Sequence, residues 1–220
     1  MIIPIDGPAA AGKGTLAARL AGHLGLPYLD TGLLYRAVGK RIADRGLDPD
    51  DAAAAARMAA ALDPAELVNP ALRGHGAGEI ASRIAVHPAV RRALLDFQRS
   101  FARRPGGAVL DGRDIGTAVV PEADVKIYVT ASAGVRARRR TDELRAKGRD
   151  VPYERILAEI EERDRRDAGR ASAPLAVAPD AVMLDTTTLD ADAAFARAVA
   201  IVAAAKNAVR GAAAGSGGSR

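Results

Sequence analysis

A glycine-rich segment near the start of the chain limits the possible folds more than any other feature. Residues 7–15 read Gly-Pro-Ala-Ala-Ala-Gly-Lys-Gly-Thr, and they lie between an apolar run at 2–5 and a helical pattern from 15 to about 24. Glycines let backbone N–H groups approach a phosphate, the helix start adds positive potential, and the Lys13 ammonium reaches the outer phosphate oxygens. A strand, this loop and a helix in that order predict a phosphate-binding loop, or P-loop.

The loop departs from the general pattern GxxxxGK[ST] at one position. Gly14 stands where the hydroxyl residue is usual, and the hydroxyl follows one residue later at Thr15. This variant resembles nucleoside monophosphate kinases more than GTPases or motor ATPases, and the sequence contains no NKxD guanine-reading element. The residues predicted to bind ATP in this loop are Gly7, Pro8, Ala9, Ala10, Ala11, Gly12, Lys13, Gly14 and Thr15.

Apolar runs alternate with helical patterns along the chain. Strands are predicted at 2–5, 28–29, 108–110, 125–129 and 181–184. Helices are predicted at 15–24, 33–45, 50–62, 79–102 with a break at Pro88, 136–149, 153–170 and 190–209. Residues 63–78 are predicted to form a connector or a small appended element, and the glycine-rich segment 211–220 a disordered tail. The alternation predicts an α/β fold with a parallel sheet covered by helices on both faces and ligands at the carboxyl ends of its strands.

Composition narrows the classes of partner and excludes several kinds of site. The 220 residues include 32 Lys and Arg against 27 Asp and Glu, a net charge of +5, and most of the cations are arginine, which suits anionic partners. A simpler interpretation of the arginine excess is a composition bias that enriches arginine and alanine together. The absence of cysteine excludes disulfides and thiolate metal sites, and three histidines disfavour a histidine metal centre. No apolar stretch is long enough to span a membrane and no signal peptide is recognisable, so we expect a soluble, cytoplasmic protein.

Ionisable residues follow two of the predicted strands, where a parallel sheet places its sites. Asp30 to Arg36 follow the second strand, and Thr31 and Tyr35 share one face of the helix that begins there. The segment Leu-Asp-Gly-Arg-Asp-Ile-Gly at 110–116 places three ionisable groups at the end of another strand. The spacing of three further charged residues places them on one side of a predicted helix. Without other information, the simplest interpretation of such a group is a set of solvent-exposed ion pairs. The three residues are Arg163, Asp167 and Arg170.

Taken together, the sequence resembles the cytidylate kinase family, which phosphorylates CMP and dCMP. The resemblance rests on GPAAAGKGT, YLDTGLLYR, HPAVRRALLDFQR, VLDGRDIGT, ERDRRDAGRASAPL and DAVMLDTT, which occur in the family's order. It implies a P-loop kinase domain over residues 1–210 with a five-stranded parallel core. It also implies an acceptor-binding insertion at about 31–105 and a mobile lid at about 136–172. The implied reaction moves the γ-phosphoryl group of MgATP to CMP or dCMP.

The resemblance also implies roles for individual residues. The implied CMP-binding residues are Thr31, Tyr35, Arg36, Ser82, Arg91, Arg113, Asp114, Arg163, Asp167 and Arg170. Within that set, three arginines (36, 113 and 170) would hold the acceptor phosphate, Ser82, Arg91 and Asp114 would read cytosine, and the pair at 163 and 167 would contact the sugar. The implied catalytic residues are Lys13, Arg113, Asp114 and Arg170.

Magnesium and the lid complete the implied site. Thr15 would ligand Mg²⁺ directly and Asp111 through water. Arg139 is expected to bind ATP. Some of Arg136, Arg139 and Arg140, together with Arg145 or Arg149, would close on the transferring group from the lid.

One region departs from the family pattern, and two other functions stay open. The family's insertion carries a small antiparallel sheet, but residues 63–78 are short and glycine-rich here, so we expect that sheet to be reduced or missing. A kinase directed at UMP or AMP would share the P-loop without the cytosine-reading set. A nucleic-acid-binding protein would use the arginines as a backbone-tracking patch, yet here they alternate with acids. We expect a monomer that binds neither nucleic acid nor membranes.

Overall fold

A single sheet of five parallel strands organises the molecule. The computed structural model describes residues 1–74 and 77–215. The strands are β1 (Ile2–Asp6), β2 (Tyr28–Asp30), β3 (Ala108–Asp111), β4 (Ile127–Thr130) and β5 (Val182–Asp185). Their order is β2-β3-β1-β4-β5 and every neighbouring pair is parallel. Ile5 and Asp30 both lie in register with Asp111, so three strands end at one edge. The predicted fold class is confirmed.

Helices and short helical turns connect the strands. The helices are α1 (Lys13–Leu24), α2 (Thr31–Asp44), α3 (Ala52–Ala60), α4 (Ala77–Ile84), α5 (Pro88–Ala102), α6 (Ala133–Ala146), α7 (Tyr153–Ala168) and α8 (Ala191–Gly215). A π-helical turn at Ile115–Val119 has no counterpart in the predicted elements. Among these described helices, none has the length and apolar character needed to cross a membrane.

Side chains from alternate residues of β3 enter two separate cores. Val109 packs with Leu20 of α1 and Val202 of α8, whereas Leu110 packs with Ala102 of α5. Successive strand residues point to opposite faces of a sheet. Helices therefore cover both faces, as the alternating pattern predicts, and the strand ends are left as the open edge.

The segment between β2 and β3 has a core of its own. Helices α2 to α5 contribute buried side chains to one apolar cluster, including Leu34, Val38, Ala55, Ile84 and Leu94. All the buried members of this cluster come from these four helices and none from a strand. This body faces the P-loop across the open edge, where an acceptor-binding insertion is expected.

Two 3-10 turns replace regular structure after α3. They span Pro64–Val68 and Pro70–Arg73, and Asp63 and Asn69 cap their starts with side-chain oxygens that accept from backbone N–H groups. Residues 63–74 contain no strand, in agreement with the expectation that a small antiparallel sheet is reduced or missing here.

The helices α6 and α7 pair with each other beside the P-loop. Ala137, Leu144, Ile156 and Ile160 form their apolar contact. The first of these helices begins three residues before its predicted start and ends at Ala146 instead of 149. This pair occupies the position of the expected lid.

The last helix is longer than its sequence pattern suggested. α8 continues to Gly215 and so includes 211–215, the first half of the predicted tail. Those five residues are a correction to the predicted boundary, since no proline interrupts the alanine-rich run. The rest of the predicted tail, 216–220, lies outside the described residues.

Candidate active site

The P-loop adopts a backbone that its glycines make possible. Gly7 has φ 144°, and a Cβ there would overlap the carbonyl oxygen of Val129 in β4. Gly12 takes a left-handed conformation, φ 85°, immediately before α1 begins at Lys13. Residues 9–15 line a cleft of about 860 Å³, while Gly7 and Pro8 lie behind that wall. The predicted loop is therefore present, with its helix start open to the cleft.

Lys13 is held inside the loop. Its side chain is 5% exposed, and Nζ donates to the Pro8 carbonyl oxygen at 2.7 Å. Burial and the nearby Arg113 together lower the pKa of the Lys13 ammonium to about 7, although the Asp111 charge acts against the shift. An arriving phosphate would supply the negative charge that favours the ammonium form.

Asp111 ends β3 against the P-loop. One carboxylate oxygen, Oδ1, is buried and has no hydrogen-bond partner. Burial raises the pKa of Asp111 to about 6, although the Lys13 charge acts against the rise. A Cβ at Gly14 would lie 3.3 Å from the other oxygen, Oδ2, so glycine at this position of the loop leaves room for the carboxylate.

Thr31 and Arg36 attach the start of α2 to this edge. The Thr31 hydroxyl donates to the Asp111 backbone carbonyl at 2.7 Å, and Arg36 Nη1 donates to the Leu72 carbonyl at 3.3 Å. Burial lowers the pKa of Arg36, while Asp30 opposes that shift. Both predicted residues line the cleft.

Asp167 is the centre of a buried cluster of arginines. Its carboxylate is fully buried, accepts from Arg113 Nε at 3.1 Å, and lies 3.8 Å from Arg163 Nε. It also contacts Arg170, and it accepts from the Ser82 hydroxyl at 3.3 Å. Burial favours the neutral acid, but the charges of the three arginines together lower the pKa of Asp167. A single carboxylate thus holds groups from four places in the sequence.

The predicted helical stripe at 163, 167 and 170 needs correction. The helix α7 ends at Ala168, so Arg170 lies beyond it rather than on its face. Arg170 still reaches the Asp167 carboxylate because the chain turns at Gly169. The three residues form a buried cluster, and the interpretation as solvent-exposed ion pairs is wrong.

The cytosine-reading residues predicted from the family pattern form a second group. Arg91 pairs with the Asp114 carboxylate, and its guanidinium carbon lies 5.7 Å from the centroid of the Tyr35 ring. Burial opposes the charge on Arg91, yet Tyr35 and Asp114 raise its pKa. These three residues and Ser82 line the same cleft as the P-loop.

The five lid arginines occupy different environments. Arg136 is buried, pairs with Asp164 at 2.6 Å and donates to the Ala9 carbonyl, so it fastens α6 to α7 and to the P-loop. Arg139 donates to the backbone oxygens of Thr186 and Leu189 at 2.6 and 3.1 Å, outside the cleft wall. Arg140 lines the cleft. Arg145 is exposed beside Asp142, and Arg149 follows the end of α6.

Several cleft residues carry no clear signal in the sequence. Tyr28, Asp30 and Arg73 line the cleft, and Arg73 lies 3.7 Å from Asp30. The Asp-Thr-Gly segment reads equally well as a helix cap, but the Asp30 side chain makes no capping hydrogen bond. Arg73 lies in the connector, where no periodicity separates a site residue from a surface charge.

Comparison of the sequence with known proteins places this chain in one family. A family model described as Cytidylate kinase matches residues 3–204. The chain is 58% identical over 204 residues to a cytidylate kinase of Paramagnetospirillum magneticum, covering 91% of this chain and 97% of that protein. It is 55% identical over 210 residues to a cytidylate kinase of Methylocella silvestris, covering 96% and 97% respectively.

A solved structure supports the fold separately. An uncharacterized protein from Eubacterium ventriosum matches with a TM-score of 0.54 and 13% identity, over 90% of this chain and 96% of that chain. At that identity the likeness concerns the fold alone.

Proposed function

The chain belongs to the cytidylate kinase family, and on that premise we propose how its residues divide between the two substrates. It is an ATP-dependent nucleoside monophosphate kinase that moves the γ-phosphoryl group of ATP to CMP or dCMP, giving ADP and CDP or dCDP. The observation that carries the assignment is the cleft itself, which Lys13 of the P-loop and Arg113 of the arginine cluster line together.

The donor site is the P-loop side of the cleft. The backbone N–H groups of residues 9–15 and the start of α1 would bind the ATP phosphates. The Lys13 ammonium would exchange the Pro8 carbonyl for a phosphate oxygen. Arg140 is the lid arginine that lines the cleft and would approach the phosphates from α6.

The side chains beside the P-loop fit a magnesium ion held mainly by phosphates. Asp111 offers a buried carboxylate oxygen without a partner, and Thr15 offers an exposed hydroxyl at the start of α1. Mg²⁺ in such sites is usually bound through substrate phosphates, water and one or two protein side chains, so these two groups would suffice. When bound, Mg²⁺ would neutralise charge on the ATP phosphates.

The acceptor phosphate would bind among the arginines. Arg36, Arg113 and Arg170 line the cleft, and guanidinium groups match phosphate oxygens in geometry and charge. Both reactants are anions that repel each other, so the protein must hold them in line and neutralise their charges. No general base is required because the attacking phosphate oxygen is already ionised.

Selection of cytosine would depend on the Arg91 and Asp114 pair with Ser82. An Asp114 carboxylate oxygen can accept from the exocyclic amine of cytosine, whereas uracil has a carbonyl at that position. Arg91 pairs with the carboxylate and holds it in place. This arrangement favours CMP over UMP.

Arg163 and Asp167 remain the proposed sugar-binding pair, with unequal access. Arg163 lines the cleft, and burial lowers its pKa to about 10. Asp167 is covered by its arginine partners. A sugar hydroxyl would therefore meet Arg163 first and would reach Asp167 only after an arginine turns toward the acceptor phosphate.

A coupled assay for ADP formation tests this assignment. We expect turnover with CMP and dCMP, weak turnover with UMP and AMP, and loss of activity without Mg²⁺. Equal kcat/KM for CMP and UMP would show that the base-reading role of Asp114 and Arg91 is wrong. The assay also separates this function from the UMP- and AMP-directed alternatives.

The expectations about location and assembly remain proposals. We propose a cytoplasmic monomer, which cell fractionation and light scattering would test. The arginines assigned to the cleft are held by carboxylates such as Asp167 and Asp114, which disfavours their use as a nucleic-acid surface. Salt-dependent retention on DNA or RNA would contradict this assignment.

A further inference from the structure

Asp6 joins the P-loop to the loop that carries the acceptor-binding residues. It is the last residue of β1, directly before Gly7, and its side chain is buried. Its Oδ1 accepts from the Ile115 backbone N–H at 2.9 Å, and its Oδ2 accepts from the Gly116 N–H at 2.7 Å. Both oxygens of one carboxylate are thus used on two consecutive amides more than 100 residues away in the sequence.

The two amides need a partner from outside their own turn. They begin the π-helical turn Ile115–Val119, and the first N–H groups of any helix have no acceptor within it. Asp114 precedes the turn but makes no capping hydrogen bond, because its carboxylate is paired with Arg91. Asp6 supplies the cap that Asp114 does not.

From this geometry we infer that Asp6 is a positioning residue for the acceptor nucleotide. It fixes the 112–116 segment, which includes Arg113 and Asp114, to the strand from which the P-loop starts. A second tie, from the Gly112 N–H to the Ile5 carbonyl at 3.1 Å, holds the other end of that segment. The inference rests on the proposed function, since Arg113 and Asp114 are assigned there to phosphate and base.

Burial and the neighbouring charged groups set the pH range in which the Asp6 carboxyl is ionised. Burial raises the pKa of Asp6 to about 7, although the two backbone N–H groups act against the rise; of the nearby charges, Asp114 adds to it and Lys13 opposes it. Tyr128 lies near Asp6 on the adjacent strand β4. The Lys126 side chain passes next to Gly116, and its Nζ pairs with Asp180. A protonated carboxyl would present one hydroxyl to an N–H group, so both bonds need the carboxylate.

Asp6→Asn is the direct test, because it keeps the size and replaces one acceptor oxygen with a donor. We expect the KM for CMP to rise about tenfold or more, as for the loss of a hydrogen bond to a charged group. The kcat/KM ratio of CMP to UMP should fall, while the KM for ATP changes less. The P-loop itself remains anchored by β1 and α1.

Asp124→Asn provides a matched control. Asp124 also accepts a backbone N–H with its carboxylate, from Ile2 at 2.6 Å, but at the opposite end of β1. We expect it to leave the KM for CMP and the base preference within about twofold of wild type. Equal changes in the two variants, or a wild-type KM in Asp6→Asn, would overturn the inference.

Gly116→Ala covers the case in which Asp6→Asn does not fold. A Cβ there would lie 3.3 Å from Asp6 Oδ2 and 3.1 Å from Lys126 Cδ, so it displaces the anchor without removing it. We expect a smaller rise in KM for CMP in the same direction, and an unchanged KM would overturn the inference. A wild-type protein without preference for CMP would instead contradict the proposed function.

Discussion

The donor and acceptor sides of the cleft are built by different means. The donor side is one continuous segment, the P-loop at 7–15, of which residues 9–15, including its single lysine, line the cleft. The acceptor side depends on Asp167, which gathers Ser82, Arg113, Arg163 and Arg170 from separate elements. Removing Lys13 should therefore remove a function of the P-loop without changing its backbone. Removing Asp167 should also disturb the positions of the arginines that it holds.

Lys13→Met should produce the largest effect on turnover. Removing a preorganised cation from a transferring phosphoryl group costs about 100-fold or more in kcat. CMP binding, measured by calorimetry, should change little because the acceptor side does not use this lysine. Lys40→Met is the control, since Lys40 is an exposed lysine paired with Asp44 on α2. Full activity of Lys13→Met would contradict the role of the P-loop.

Asp167→Asn should damage the acceptor side as a unit. Removing one partner of a buried ion pair costs about 3–5 kcal/mol because the other charges stay buried. We expect a lower free energy of unfolding in urea together with weak CMP binding and nearly unchanged ATP binding. Asp164→Asn removes a partly exposed carboxylate that pairs with the buried Arg136, and it should affect stability less. Equal losses of stability in the two variants would mean that Asp167 is no more important to the fold than Asp164.

Arg36→Met should weaken CMP binding without loss of fold. Arg36 lines the cleft but is not attached to Asp167, and its hydrogen bond goes to the Leu72 carbonyl. A lost charged hydrogen bond to phosphate predicts about a tenfold rise in the KM for CMP. Arg45→Met, at an exposed position after the same helix, serves as the comparison. A KM for CMP that stays at the wild-type value would remove Arg36 from the acceptor site.

The pH dependence of stability tests Asp6, which connects the donor and acceptor sides of the cleft. The pKa of Asp6 is about 7 in the folded protein and about 3.9 in an unfolded chain. The folded state therefore binds more protons between these values, and this contribution to stability is present at low pH and falls as pH rises. The unfolding free energy of wild type relative to Asp6→Asn should fall by about 1 kcal/mol from pH 6 to pH 7. A rise over this interval would contradict the assigned shift.

Local patterns were sufficient for the donor side and the sheet. The glycines, the lysine and the helix start of the P-loop are adjacent in sequence. At Gly7 and Gly12 the structure shows the backbone geometry that requires glycine. The strands were predicted within about two residues, because short apolar runs mark strands whether they are fully buried, as in β3, or mostly exposed, as in β5. Local spacing failed for Arg170, because α7 ends at Ala168 with Gly169 as its cap, so Arg170 does not continue the helical spacing.

The sequence by itself determined the class of fold, the P-loop and, through its long motifs, the family. Only the tertiary structure decided that Asp167 is a buried centre, that Arg139 binds the 186–189 backbone outside the cleft, and that Asp6 caps a distant turn. The physical reason is that these contacts join residues far apart in the chain. Burial and charge at such sites depend on neighbours that no local pattern specifies.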